Sequence, residues 1–362
     1  MQRGYFIGLF VLYLVSSFLL AATTPIAPHE AKLYFSHEGI VPFFMHLGEH
    51  FVGGVLGIRI LFLLFSVISI FMFYQLSNTY FKYKKDVYLA TSLFMFLPGI
   101  ITATVLANVG IVVLALVLLF VLLYEKGYNW LLPFVMLALF FIHEASVIFF
   151  IALFFYSFNT KERWLGTLSL AFLLAFIYLS KGIEIGGRPT GHFIEIFGLY
   201  AAVFSPLLFL YFFYTMYRIF LREKKHLMWY ISFTALVISL LLSIRQKVYI
   251  TDFAPYVMIS TIAMVDIYMR SLRVRLPQYQ RRYKQAFAIV VGMLVLSSLT
   301  IITHQLSYYM TQHPSKHFAY RIYHPYILAQ TLQKEGVECY DAKGRMALQL
   351  KYYGISGCVK PE

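Results

Sequence analysis

Runs of apolar residues interrupted by short clusters of charge repeat along most of the chain. They lie at about 4–22, 56–76, 87–105, 108–124, 129–142, 144–158, 165–181, 198–217, 227–244, 252–269 and 286–304. A helix satisfies its own backbone amides and so crosses lipid with about 20 mostly apolar residues. The pattern predicts an all-α polytopic membrane domain over 1–304, with about eleven transmembrane helices. After residue 304 the chain turns polar and rich in His, Tyr and Lys. Residues 305–362 predict a small C-terminal α/β external domain, with a helix at 326–335 after His324-Pro325 and strand candidates near 337–341 and 345–353.

Composition excludes a soluble globular chain. Hydrophobic residues are 60% of the 362 and charged residues 13%, where soluble domains carry about 25% charged residues. Mean hydropathy is +0.72.

The net charge of +14 is a matter of orientation rather than of nucleic acid. Alternate loops carry Arg3; Lys82, Lys84 and Lys85; Lys126; Lys161 and Arg163; Arg218, Arg222, Lys224 and Lys225; and Arg270, Arg273, Arg275, Arg281, Arg282 and Lys284. Only Asp86, Glu125, Glu162 and Glu223 oppose them in those loops. The positive-inside rule places these loops and the N-terminus in the cytoplasm, and an odd number of spans places the C-terminus outside. Anionic lipid headgroups are the expected partners of the basic segment 270–284, and nucleic acid is not expected. Asp266 has no partner that the sequence assigns.

Arg3 before the first apolar run and Ala21-Ala22 after it resemble a signal peptide, but the length of the run and the spans that follow favour an uncleaved anchor. The two cysteines, Cys339 and Cys358, fall in the tail placed outside, where an oxidising compartment permits a disulfide between them.

The loop 23–55 is the long external one. It carries Glu30, Lys32, Glu38, Glu49 and the histidines 29, 37, 46 and 50. The stretch Glu30 to Phe51 predicts one or two interfacial helices, with Phe43, Phe44, Leu47 and Phe51 toward lipid or core. Other polar groups at external span ends are Asn108, His143-Glu144, the loop 181–197, Arg245, Lys247, Tyr249 and Asp252. Charges at span ends mark functional sites or interface anchors. His46 and His50 share a helix face, as two zinc ligands would, but that spacing is equally that of interface histidines. No Asp-x-Asp pair for a nucleotide sugar is present. No cofactor is expected, and a divalent metal is not the favoured reading.

The order Pro28-His29-Glu30-Ala31-Lys32-Leu33-Tyr34, Pro42, Leu47-Gly48 and Gly57-Ile58-Arg59 resembles the start of the GT-C membrane glycosyltransferases. The resemblance is to the branch that holds protein O-mannosyltransferases and the lipid A aminoarabinose transferase. There an Asp-Glu-Ala type motif follows the first span, and a Gly-x-Arg-Leu-like segment opens the second. Arg245-Gln246-Lys247-Val248-Tyr249-Ile250 ahead of Pro255 is similar to the family's basic-plus-Tyr approach to a late span, and Leu97-Pro98-Gly99 to its Leu-Pro element. The likeness covers about 1–160 and 240–265.

The resemblance implies sugar transfer from a polyprenyl-phosphate carrier to a lipid, glycan or protein acceptor at the periplasmic face of a bacterial inner membrane. Glu30 is then the expected general base, with His29 beside it. Arg245, Lys247 and Tyr249 would hold the carrier phosphate, Tyr34 would shape the sugar pocket, and Arg59, Asn108 and Glu144 would line the substrate site. Two positions depart from the family: His29 stands where an acid is usual, and so does Asn108. If the family's base is the first acid, His29 replaces it. A polysaccharide polymerase or ligase, a flippase or transporter of lipid-linked glycan, and an inactive glycolipid-binding relative stay open as alternatives.

Overall fold

In the computed structural model the described residues are 3–36, 39–179 and 192–358. They form helices and connecting turns, with one isolated parallel bridge between Cys339 and Ser356 and no extended sheet among them.

Each of the eleven apolar runs is helical over most of its described residues. Among the described residues, four helices are long and apolar enough to cross a membrane: α1 (Arg3–Thr23), Gly54–Tyr80, Leu227–Arg245 and Pro277–Ile302. Two bent pairs raise the number to six if each is one span. The first bends 55° between Lys84–Met95 and Pro98–Val105, and the second 106° between Phe193–Phe204 and Pro206–Arg222. Both breaks precede a proline, which cannot donate its amide and disfavours helical backbone at the residue before it. At the sharper bend Ser205 takes φ +85°. The expected span 198–217 therefore crosses a break. Four further apolar helices of 10–17 residues lie at Val109–Glu125, Asn129–Ile142, Glu144–Thr160 and Arg163–Tyr178.

The chain divides into two units. The first comprises residues 1–13, 65–101 and 109–298. In it the helix Val147–Thr160 packs against Arg163–Tyr178 and Leu227–Arg245. All four acids of the basic loops have partners: Asp86 meets Arg273, Glu125 accepts from Tyr80, Glu162 accepts from Tyr124 at 2.6 Å, and Glu223 meets Arg270 at 2.8 Å and Arg218 at 3.5 Å. Asp266, unassigned from sequence, pairs with Arg270 one turn on at 2.7 Å. Arg281, Arg282 and Lys284 belong to the opening turns of the helix Pro277–Ile302, not to a loop.

The second unit comprises residues 14–64, 102–108 and 299–362, so the tail after residue 304 shares it with the first external loop. That loop folds as two helices, α2 (Pro28–Tyr34) and α3 (Ile40–Val52), before α4 (Gly54–Tyr80) begins. Helix α3 buries Val41, Pro42, Met45 and Gly48 and exposes Phe43, Leu47 and Phe51, a second apolar row suited to lipid. Gly48 and Gly57 let α3 and α4 touch through backbone: a Cβ on Gly48 would lie 2.3 Å from the Gly57 carbonyl oxygen, and one on Gly57 2.7 Å from the Glu49 Cα.

The tail differs from the α/β expectation. Residues 345–353, expected as a strand, contain the helix Arg345–Tyr352, which packs on α2 and on the helix Tyr320–Lys334. Its start follows Gly344 at φ +63°, a conformation that glycine adopts freely. The tail core is Ala329, Leu332, Leu350 and Ile355. A disulfide joins Cys339 to Cys358.

Candidate active site

The residues expected to form the site fall into both units. His29, Glu30, Tyr34, Arg59 and Asn108 lie in the second, and Glu144, Arg245, Lys247 and Tyr249 in the first.

In the second unit, a buried ion pair organises the end of α1 and the start of α2. Glu30 occupies the third position of α2 and reaches back to accept the Ala27 N–H at 2.8 Å, half of a capping box. Its other partners are Arg59 Nε at 2.9 Å, Arg59 Nη2 at 2.6 Å and the Ala107 amide at 2.7 Å. The Arg59 guanidinium also donates to the carbonyls of Ala21 at 3.0 Å, Thr24 at 2.6 Å and Pro25 at 3.0 Å. An arginine has five N–H donors and a carboxylate about four lone-pair sites, so both groups are saturated. Arg59 is fully buried and Glu30 is 1% exposed.

This geometry corrects the role expected of Glu30. A general base needs a lone pair directed at the proton it takes. Both oxygens of Glu30 are spent on donors, two of them from a cation, and solvent does not reach them. Glu30 is the anchor of the α1–α2 connection. Arg59, expected to touch substrate, holds three backbone carbonyls of that connection instead. The tail completes the framework: Ile26 donates its amide to Tyr353 Oη at 3.0 Å, and Gln349 Nε2 donates to the Ile26 carbonyl at 2.8 Å. Burial pushes the Tyr353 hydroxyl up to about 12, so it stays protonated.

His29 follows Pro28 on the same first turn and is exposed. Asn108 follows Ala107, whose amide Glu30 holds. At the far end of α2, Tyr34 donates to Glu49 Oε2 at 2.7 Å, and burial together with that carboxylate raises the Tyr34 hydroxyl to about 12. The His46 ring lies 4.6 Å from the Tyr34 ring, its Nε2 3.1 Å from the Tyr34 carbonyl oxygen and its Nδ1 3.8 Å from Glu49. In sequence the only sign of this half-exposed acid–imidazole–phenol cluster is the spacing of His46 and Glu49 by three, which sets both on one helix face. His37 and Glu38 lie outside the described residues. No group of three or more His, Cys, Asp or Glu side chains is placed to hold a metal ion among the described residues.

In the first unit, the exposed ammonium of Lys247 lies 3.2 Å from Glu195, which also meets His192 at 2.9 Å. Hydrogen bonds from Lys247 and His192 hold the Glu195 carboxyl below its ordinary range. Glu195 belongs to the expected external loop 181–197, of which 181–191 lie outside the described residues. An exposed pair of this kind is easily exchanged for another anion. Arg245, Tyr249 and Glu144 are exposed. His143 Nδ1 accepts from the Ala145 amide at 3.0 Å, so its neutral form carries the proton on Nε2, which faces Asp252 at 3.7 Å. Burial lowers the His143 pKa, against the pull of Asp252 and Glu144.

No protein-family model matches the sequence. No curated protein matches it either. Solved structures do. The crystal structure of ArnT from Cupriavidus metallidurans in the apo state superposes with a TM-score of 0.57 at 13% identity, over 97% of this chain and 75% of that one. The structure of the same protein bound to undecaprenyl phosphate gives 0.56 at 11% identity, over 98% and 76%. At such identity the likeness is one of fold, and it runs through both units and the tail. The chain thus shares the fold of ArnT, in a sequence far diverged from it.

Proposed function

We propose that this chain is an inverting glycosyltransferase that moves a sugar from a polyprenyl-phosphate-linked donor to a lipid, glycan or protein acceptor at the periplasmic face of a bacterial inner membrane, with the N-terminus cytoplasmic and the C-terminus periplasmic. The observation that carries this reading is the match of nearly the whole chain to the ArnT fold, one instance of which holds undecaprenyl phosphate.

The acceptor heteroatom attacks the anomeric carbon from the face opposite the phosphate. The bond from that carbon to the phosphate oxygen breaks, and the polyprenyl phosphate leaves with the electron pair. Arg245 and Lys247 stabilise the charge that gathers on the leaving phosphate, and Tyr249 donates a hydrogen bond to it. Lys247 changes partner from Glu195 to phosphate as the donor binds. The proton of the acceptor goes to His29. Its imidazole is exposed on the first turn of α2, whereas its neighbour Glu30 is locked in the Arg59 clamp. Asn108 and Glu144 orient the acceptor, and Tyr34, fixed by Glu49, shapes the sugar pocket.

The first test is direct binding. The purified chain in nanodiscs should bind undecaprenyl phosphate saturably, and Lys247→Gln and Arg245→Gln should each weaken that binding about tenfold. Absence of saturable binding to the wild-type chain would remove the reading.

A further inference from the structure

A cavity of about 330 Å³ opens in the second unit between the tail and the first turn of α2. Its walls include Pro28, Tyr320, Arg321, His324, Arg345 and Gln349. This volume is that of a small-molecule site. From the chemistry of these walls we infer that the cavity binds a phosphomonoester, a phosphate carried on a small organic group.

Three observations support this. First, the lining includes two arginines and no acidic residue. Neither the Arg321 nor the Arg345 side chain has a hydrogen-bond or ion-pair partner among the described residues. This contrasts with the arginines elsewhere that meet acids, such as Arg59, Arg218, Arg270 and Arg273. Two arginines lining one space offer forks of N–H donors that match the oxygens of a phosphate in a way that lysines cannot.

Second, the site is held on fixed backbone. The amide of the buried Gln349 donates to the Arg321 carbonyl at 3.1 Å and to the Ile26 carbonyl at 2.8 Å. It therefore ties the root of Arg321 to the residue two before Pro28. Arg345 opens its helix, whose first turn has no side-chain cap, so the free amides add to the positive potential of the two cations.

Third, the rest of the lining is apolar and aromatic. Pro28, Pro325, Met346 and Tyr320 surround the polar groups, and the Tyr320 ring lies 4.7 Å from that of His324. A bare phosphate would leave this surface uncovered, while an ester places its organic part against it. The organic part can belong to a soluble metabolite or to a lipid headgroup, and the phosphate chemistry is the same for both.

The site is independent of whether the chain transfers a sugar, and binding alone tests it. The purified full chain in phosphatidylcholine nanodiscs is titrated with glycerol 3-phosphate, with glycerol as control. In a second arm, the protein is incubated with vesicles of phosphatidylcholine containing phosphatidic acid, and retained lipid is read by native mass spectrometry. Saturable binding in the first arm identifies a soluble ester; retention of phosphatidic acid without glycerol 3-phosphate binding identifies a lipid source. In either case Arg321→Gln and Arg345→Gln each weaken binding about tenfold or more, and Lys334→Gln, a cation of the same helix as Arg321 outside the lining, leaves it unchanged. Both arginines are exposed, so thermal melts of the variants should match wild type. No binding in either arm, or binding equal in the wild type and both arginine variants, overturns the inference.

Discussion

Arg59 and Glu30 form a closed unit: every donor of the one and every lone pair of the other is matched by a partner within 3.0 Å. Neither reaches solvent. Burying two charges is costly, and the pair is tolerable because its remaining bonds go to the backbone of the α1–α2 connection and of Ala107. The pair therefore fixes where the first turn of α2 sits, and with it the exposed His29.

Removing one member leaves the other charged and buried. Glu30→Ala and Arg59→Ala should each destabilise the chain by about 3–5 kcal/mol, visible as a lower melting temperature in detergent. Arg59→Lys should recover little, since an ammonium cannot span the same five acceptors. A melting temperature unchanged by Glu30→Ala would contradict the role of clamp.

The contact of α3 with α4 leaves no space for a side chain. Gly57→Ala sets a methyl against the Glu49 backbone, and Gly48→Ala sets one against the Gly57 carbonyl. Each should cost about 1–3 kcal/mol. Gly292→Ala, in the helix Pro277–Ile302, meets nothing within 4 Å and serves as the control, with no loss of stability expected.

The disulfide closes a separation of 19 residues within the tail. Its removal by Cys339→Ser should cost about 3 kcal/mol in the chain-entropy account. Limited proteolysis should then cut the tail first.

His304 introduces a pH dependence. Its Nδ1 lies 2.7 Å from the Ile301 carbonyl, which fixes the tautomer, and its Nε2 accepts from Tyr323 Oη at 3.0 Å. Burial lowers its pKa from the ordinary 6.5. The unfolded chain then binds the proton that the folded chain refuses, so this contribution to stability is present at neutral pH and is lost as pH falls below 6.5. Melts from pH 8 to pH 5, at about unit steps, should show a decline that is shallower in His304→Gln.

Most helices were legible as apolar runs, because lipid-facing and buried residues look alike in sequence and both are long. The bend at Ser205 was not, although Pro206 signalled it, since the apolar run continues on both sides. The strand expected at 345–353 is a helix. A short segment with Met346, Leu348 and Leu350 in alternation satisfies either period, and burial of the adjacent Gln349 and Leu350 against α2 and the preceding helix decides it. Glu30 and Arg59 were both named from sequence, but their mutual saturation was not legible. Five of their partners are backbone carbonyls or amides, at Ala21, Thr24, Pro25, Ala27 and Ala107, and a backbone group has no sequence signature. Arg321 and Arg345 were not legible for a different reason: two arginines 24 positions apart look like solvated charge in sequence until the fold sets them on one cavity.

The central claim is sugar transfer from a polyprenyl phosphate with His29 taking the acceptor's proton. The most direct measurement is acceptor-dependent release of polyprenyl phosphate by the purified chain, over a panel of polyprenyl-phosphate sugars, for wild type and His29→Ala. The account predicts release with at least one donor and a fall of about 10²- to 10⁴-fold in turnover for His29→Ala, with its melting temperature kept. Saturable donor binding without release for any donor, or turnover equal in the two proteins, would contradict it.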